Sequence, residues 1–98
     1  MALEIIWSKR SDNKFDTILD YLSAEWGEIV TKAFVLKVYD FFEILSEFPE
    51  IGTLEYKEKN IRGFVITRQV SVFYTIRNNR IIILNFFDNR QSPAKKRF

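Results

Sequence analysis

Ile61-Arg-Gly-Phe-Val-Ile-Thr-Arg-Gln-Val-Ser-Val-Phe-Tyr-Thr-Ile-Arg-Asn-Asn-Arg-Ile-Ile-Ile-Leu-Asn-Phe-Phe-Asp-Asn-Arg-Gln-Ser-Pro93 reads as consecutive antiparallel strands followed by a polar exit. Val70, Val72, Tyr74 and Ile76 alternate with Ser71, Phe73, Thr75 and Arg77, the two-residue period of a strand. A second run rich in β-formers follows from Arg80 to Phe87. Only Asn78-Asn79 lies between them, and asparagine tolerates positive φ, so a two-residue hairpin turn is expected there. Ile61 to Thr67 reads as the strand before this pair. The Thr67-Arg68-Gln69 connection carries no Gly or Pro to define its turn. After Phe87 the chain turns polar and basic.

The segments upstream are helical in period. Leu3 to Trp7 is a short apolar strand, and Ser11 or Asp12 can cap the helix behind it. Phe15, Ile18, Leu19, Leu22 and Trp26 recur at helical spacing. Gly27 interrupts, and Val30, Phe34, Val38, Phe41, Leu45 and Phe48 form a second stripe that Pro49 stops. So short a connection implies an antiparallel helical hairpin. Leu54 to Asn60 is charged and only weakly extended. The order is β-α-α-β-β-β, an α+β fold with the hairpin packed on one face of a mostly antiparallel sheet. The other face is expected to stay partly open and to carry basic side chains. Val35, Tyr39 and Phe42 form a further apolar line on the second helix, either a wider core face or a docking surface for a partner helix.

Ninety-eight residues are expected to make a single domain over 1–98, with 91–98 a basic C-terminal tail. Ten Phe and two Trp supply apolar bulk for a small core. With no Cys and no His, thiolate metal sites, disulfides and imidazole acid/base chemistry are excluded, and neither metal nor cofactor is expected. No apolar run approaches a membrane span, and the opening residues lack a signal pattern, so a soluble cytoplasmic protein is expected. The net charge of +2 is unevenly distributed. Up to Asn60 seven basic residues face twelve acidic ones, whereas from Ile61 onward eight face only Asp88. This asymmetry points to an anionic partner or to a solubilising surface stripe.

Val72-Phe73-Tyr74-Thr75-Ile76 leading into Arg80-Ile81-Ile82-Ile83-Leu84, then Asp88-Asn89-Arg90-Gln91-Ser92-Pro93, resembles the RelE/ParE superfamily of type II toxin–antitoxin toxins. The Trp7 strand end, Tyr21-Leu22, Phe48-Pro49 with Gly52, and Ile61-Arg62 extend the likeness over nearly the whole chain. The resemblance implies a small bacterial toxin, associated with plasmid stabilisation and growth inhibition, held as a hetero-oligomer by a cognate antitoxin. Val35, Tyr39 and Phe42 are then candidates for the antitoxin contact. RelE-like members cut mRNA on the ribosome; ParE-like members bind and inhibit DNA gyrase.

RNA cleavage needs a base, an acid and cations for the developing phosphate charge. Arg62, Arg68 and Arg90 can supply cations, and Lys95 and Lys96 can add target or nucleic-acid contacts. A base and an acid are not evident. Arginine cannot act as a base near neutral pH. Ser71 stands where the ribonuclease members usually carry an arginine. Tyr74 is a proton donor in type, but its alternation places it on the core side. The sequence therefore favours a ParE-like toxin. A RelE-like endoribonuclease is the alternative, and a non-toxic basic nucleic-acid-binding module a further one.

Overall fold

The computed structural model describes residues 2–89. Strand β1 (Glu4–Trp7) leads into a helical run α1 (Lys9–Glu47), followed by β2 (Thr53–Tyr56), a short 3-10 turn (Lys57–Lys59), β3 (Ile61–Val65), β4 (Val70–Arg77) and β5 (Arg80–Asp88). The five strands form one sheet in the order β1-β5-β4-β3-β2. β1 runs parallel to β5, and every other pair is antiparallel.

The helical run is two arms, 9–26 and 28–47, that fold back on each other at Gly27. A straight helix of 39 residues would be roughly 58 Å long at 1.5 Å per residue. The longest dimension of the protein is 38 Å, and the rings of Phe15 and Phe34, one from each arm, stack 5.9 Å apart. Gly27 makes the reversal with φ 86° and ψ −179°, a region that only glycine enters without strain. The expected hairpin is therefore present, with its connection reduced to one residue. The first arm begins earlier than the sequence suggests. Ser8 is the N-cap, its hydroxyl accepting from the Ser11 amide at 3.1 Å. Ser11 itself is buried, and its hydroxyl donates to the Ser8 carbonyl at 2.8 Å.

Both arms pack on one sheet face. Phe15, Ile18, Phe34, Val38, Phe41, Phe42 and Leu45 join Val70, Val72, Tyr74, Ile81, Ile83 and Phe86 in a single core. Trp7, half-buried, packs against it, edge-on to Phe15 at 5.0 Å and to Phe42 at 5.3 Å. Such edge-to-face pairs add about 0.5–1.5 kcal/mol each beyond burial. Trp26, Val30 and Phe48, expected in the helical stripes, are instead exposed. Trp26 and Val30 flank the reversal and Phe48 is the C-cap, so all three stand at arm ends.

The β4–β5 turn is as expected. Asn78 and Asn79 both have positive φ, 54° and 60°, the two-residue turn that matches strand twist. Between β3 and β4 the missing Gly or Pro is replaced by a side chain, since the Thr67 hydroxyl accepts from the amides of Gln69 and Val70 at 3.3 and 3.2 Å. β2 is a strand the sequence reading did not count. It lies at the sheet edge, is exposed along its length, and is bulged between Leu54 and Tyr56, so it carries no alternation to detect. A second irregularity sits opposite Phe73/Tyr74, where Asn85 pairs with Phe73 but Ile83 with Tyr74. The extra residue, Leu84, reverses the alternation of β5, so that Ile83 and Phe86 both reach the helical core while Phe87 points to the opposite face.

Candidate functional site

Arg62 lies on β3 opposite Tyr74, on the face that carries the helices. Its Nη1 donates to the carbonyls of Gly52 at 2.8 Å and Glu50 at 3.2 Å. The Tyr74 hydroxyl completes the same corner, donating to the Pro49 carbonyl and accepting from the Gly52 amide, each at 2.8 Å. Gly52 is required by proximity, because a Cβ there would come within 2.7 Å of that hydroxyl. Tyr74 is fully buried, and this burial raises its pKa above the ordinary 10.0 despite the Gly52 hydrogen bond and the Arg62 charge, which act in the opposite direction. Arginine and tyrosine together fasten the link between the second arm and β2. The Tyr74 hydroxyl and Arg62 Nη1 are spent on the protein's own backbone, whereas the buried Arg62 Nε has no hydrogen-bond partner among the described residues.

The two candidate arginines among the described residues, Arg62 and Arg68, stand apart in the sheet. Arg68 is exposed in the β3–β4 connection, beyond Val65. Val65 is three strand positions, about 10 Å, from Arg62. Arg77 and Arg80 pair at the far end of β4, with Arg80 Nε 3.4 Å from the Glu4 carboxylate. The expectation of strand arginines lining one open sheet face is therefore corrected: Arg62 is on the helical face, and the others stand at opposite ends of the sheet. Arg90, Lys95 and Lys96 lie outside the described residues. No group of acidic, histidine or cysteine side chains that could hold a metal occurs among the described residues.

Of the helical line Val35, Tyr39 and Phe42, Phe42 is buried against Trp7 and Phe41, and Val35 is half-buried against the same core. Tyr39, 53% exposed, is edge-on to Phe42. The wider-core reading holds for Phe42. A more continuous apolar surface lies elsewhere, in a groove of about 510 Å³ between the two arms and the end of the sheet. Tyr21, Trp26 and Val30 are its exposed apolar wall, and Lys14 and Lys37 bring positive charge to it. The reading from sequence assigned Trp26 and Val30 to the core because they keep the helical period. Their nearness to Gly27 was the signal that they stand at the end of the hairpin.

A kinked helical hairpin on one face of a five-stranded mixed sheet is an architecture shared with solved toxin structures. A chromosomal ParDE toxin–antitoxin system from P. aeruginosa superposes with a TM-score of 0.74 at 16% identity, covering 89% of this chain and 96% of that one. The YoeB dimer from Staphylococcus aureus gives 0.60 at 18%, covering 87% and 94%. A conserved hypothetical protein from Helicobacter pylori gives 0.58 at 18%, covering 91% and 97%. No curated protein matches the sequence. Residues 5–93 match the family described as the ParE toxin of the type II toxin–antitoxin system, parDE, and the chain belongs to that family. Membership makes it the toxin component of such a system and implies a cognate antitoxin as its partner. No helix among the described residues is long and apolar enough to cross a membrane.

Proposed function

We propose that this chain acts as a ParE-like toxin that inhibits DNA gyrase by binding it, without cutting nucleic acid. The observation that carries this reading is the state of Tyr74. Its hydroxyl is the proton donor that sequence offers on the central strand, yet it is buried, bonded to Pro49 and Gly52, and made less acidic. Arg62, the cation beside it, has its Nη1 engaged with backbone carbonyls. An acid or base for 2′-hydroxyl attack is needed within hydrogen-bond reach of substrate, and this pair supplies neither. The test is a gyrase supercoiling assay with purified toxin. Dose-dependent loss of supercoiling, relieved by antitoxin, is expected. Unimpaired supercoiling together with cuts in mRNA on translating ribosomes would establish the RelE-like alternative, with Arg68 and Arg90 as its cations.

The antitoxin, on this reading, lays an amphipathic segment into the groove walled by Tyr21, Trp26 and Val30, with its acidic residues toward Lys14 and Lys37. Tyr39 and Val35 extend the contact along the second arm. Trp26→Ala removes an exposed aromatic and should weaken antitoxin binding at least tenfold while leaving the thermal midpoint unchanged.

A further inference from the structure

The second arm ends in a corner whose apolar side chains face water. Ile44, Phe48 and Ile51 are 47%, 66% and 42% exposed. Backbone bonds keep the three together. The Phe48 amide donates to the Ile44 carbonyl at 2.9 Å, and the Ile51 amide donates to the Phe48 carbonyl at 3.0 Å. Leu54, 39% exposed, shares the helical side of the sheet through its pairing with Arg62. Scattered exposed apolar residues are ordinary, but a contiguous set marks a surface for another molecule. The loop that carries this set is ordered from beneath. The Tyr74 hydroxyl holds Pro49 and Gly52, and Arg62 Nη1 holds Glu50 and Gly52. A loop fixed in advance loses little freedom when a partner lands on it.

Charge selects the partner. Asp40, Glu43, Glu47 and Glu50 accompany these apolar residues, and no lysine or arginine stands between Lys37 and Lys57. None of the four acids forms an ion pair among the described residues. Arg62 reaches the loop, but its Nη1 binds the Glu50 carbonyl. Glu47 lies in the last turn of the arm, where the helix dipole favours cations, and that turn holds no basic residue. Negative charge is thus gathered where the fold itself disfavours it, and a cation from outside is favoured by the carboxylates and by the helix end together. The groove at the other end of the arm is the reverse case. Its Val30 lies about 27 Å from Phe48 at 1.5 Å per residue, and its flanking charges are Lys14 and Lys37. An acidic antitoxin segment that suits those lysines is repelled by this corner, so the corner calls for a second partner.

We propose that the Ile44–Phe48–Ile51 corner is the surface by which the toxin grips its target protein, and that the target brings to it a segment with apolar side chains flanked by lysine or arginine. The inference rests on the gyrase reading for the identity of that target. Phe48 is the apolar anchor, and Glu47 and Glu50 pair with cations around it. Charges at the rim of such a contact speed association and reject partners of the wrong sign. Antitoxin extended past Tyr39 blocks the approach by its bulk without filling the corner.

The test compares full-length native toxin with Phe48→Ser and with the double variant Glu47→Lys/Glu50→Lys in gyrase supercoiling, alongside thermal melts and antitoxin affinity. Each variant should raise the half-inhibitory toxin concentration at least tenfold while antitoxin affinity changes less than twofold. Misfolding does not explain such a loss in the double variant, because cations at the helix end should hold or raise its thermal midpoint. If Phe48→Ser melts lower, the double variant decides alone. Full inhibition by the double variant overturns the cationic partner, and full inhibition by both variants overturns the corner as the target surface; the gyrase reading survives either result. A matching loss of antitoxin affinity assigns the corner to the antitoxin and also overturns the proposal. Absence of inhibition by native toxin removes the gyrase reading and this inference with it.

Discussion

Phe86 and Phe87 are neighbours in sequence and opposites in surroundings. Phe86 is fully buried on the helical face, with Trp7 at 5.4 Å and Phe15 at 5.3 Å. Phe87 is nearly as buried on the other face, within a cluster that includes Phe73, its ring 6.4 Å away. One side of the sheet is closed by the aromatics of two helical arms, the other by a patch a fraction of that size. Equal burial therefore does not mean equal support, because the cost of losing a ring depends on how many neighbours are left around a hole.

That contrast can be broken most directly by cutting each ring back. Phe86→Ala should cost about 3–5 kcal/mol in guanidinium unfolding. Phe87→Ala should cost less, about 2 kcal/mol. Equal losses for the two would show that the smaller patch is as well packed as the core.

Tyr74 probes the helical side through a single hydroxyl. Tyr74→Phe keeps the ring but strands the Pro49 carbonyl and the Gly52 amide, at a cost of about 1–3 kcal/mol. Its raised pKa also sets a pH signature. Folding favours the protonated phenol, so this contribution is complete below pH 10.0 and is lost as pH rises from there through the higher folded value. Denaturation midpoints measured across alkaline pH should fall more steeply for the native chain than for Tyr74→Phe.

The smallest expected effects come from the arginines, one on each face. Arg62→Met releases the carbonyls of Glu50 and Gly52 and should cost about 1–2 kcal/mol, largely independent of salt. Arg80→Ala breaks an exposed pair with Glu4 and should cost at most about 0.5 kcal/mol, vanishing at high ionic strength. Thermal melts in low and high salt separate the two.

These same residues show what could be read from sequence and what could not. The helical face was legible because Phe15, Phe34, Val38 and Leu45 repeat at helical spacing while Val70, Val72 and Tyr74 alternate. Asn78-Asn79 and Gly27 marked the two reversals through their tolerance of positive φ. The bulge at Leu84 was not legible, since Ile81 to Phe87 is apolar on both registers and only the pairing reveals which residue is extra. Edge strand β2 escaped because it buries nothing. The role of Arg62 was hidden for another reason. Its partners are backbone carbonyls, which every residue possesses, so no pattern of side chains announces them. The charge count suggested one basic face, but charge along a sequence carries no record of which side of a sheet each residue occupies.

Gly27 has one more consequence. A side chain placed there would meet nothing within 4 Å, so the only objection to it is torsional. An ordinary residue at that position would straighten the run into one long rod and leave Phe15 without the Phe34 of its own chain. Two such molecules could each supply what the other lacks by trading first arms, and a hairpin closed within one chain would become an intertwined, domain-swapped pair through a single change in an empty place.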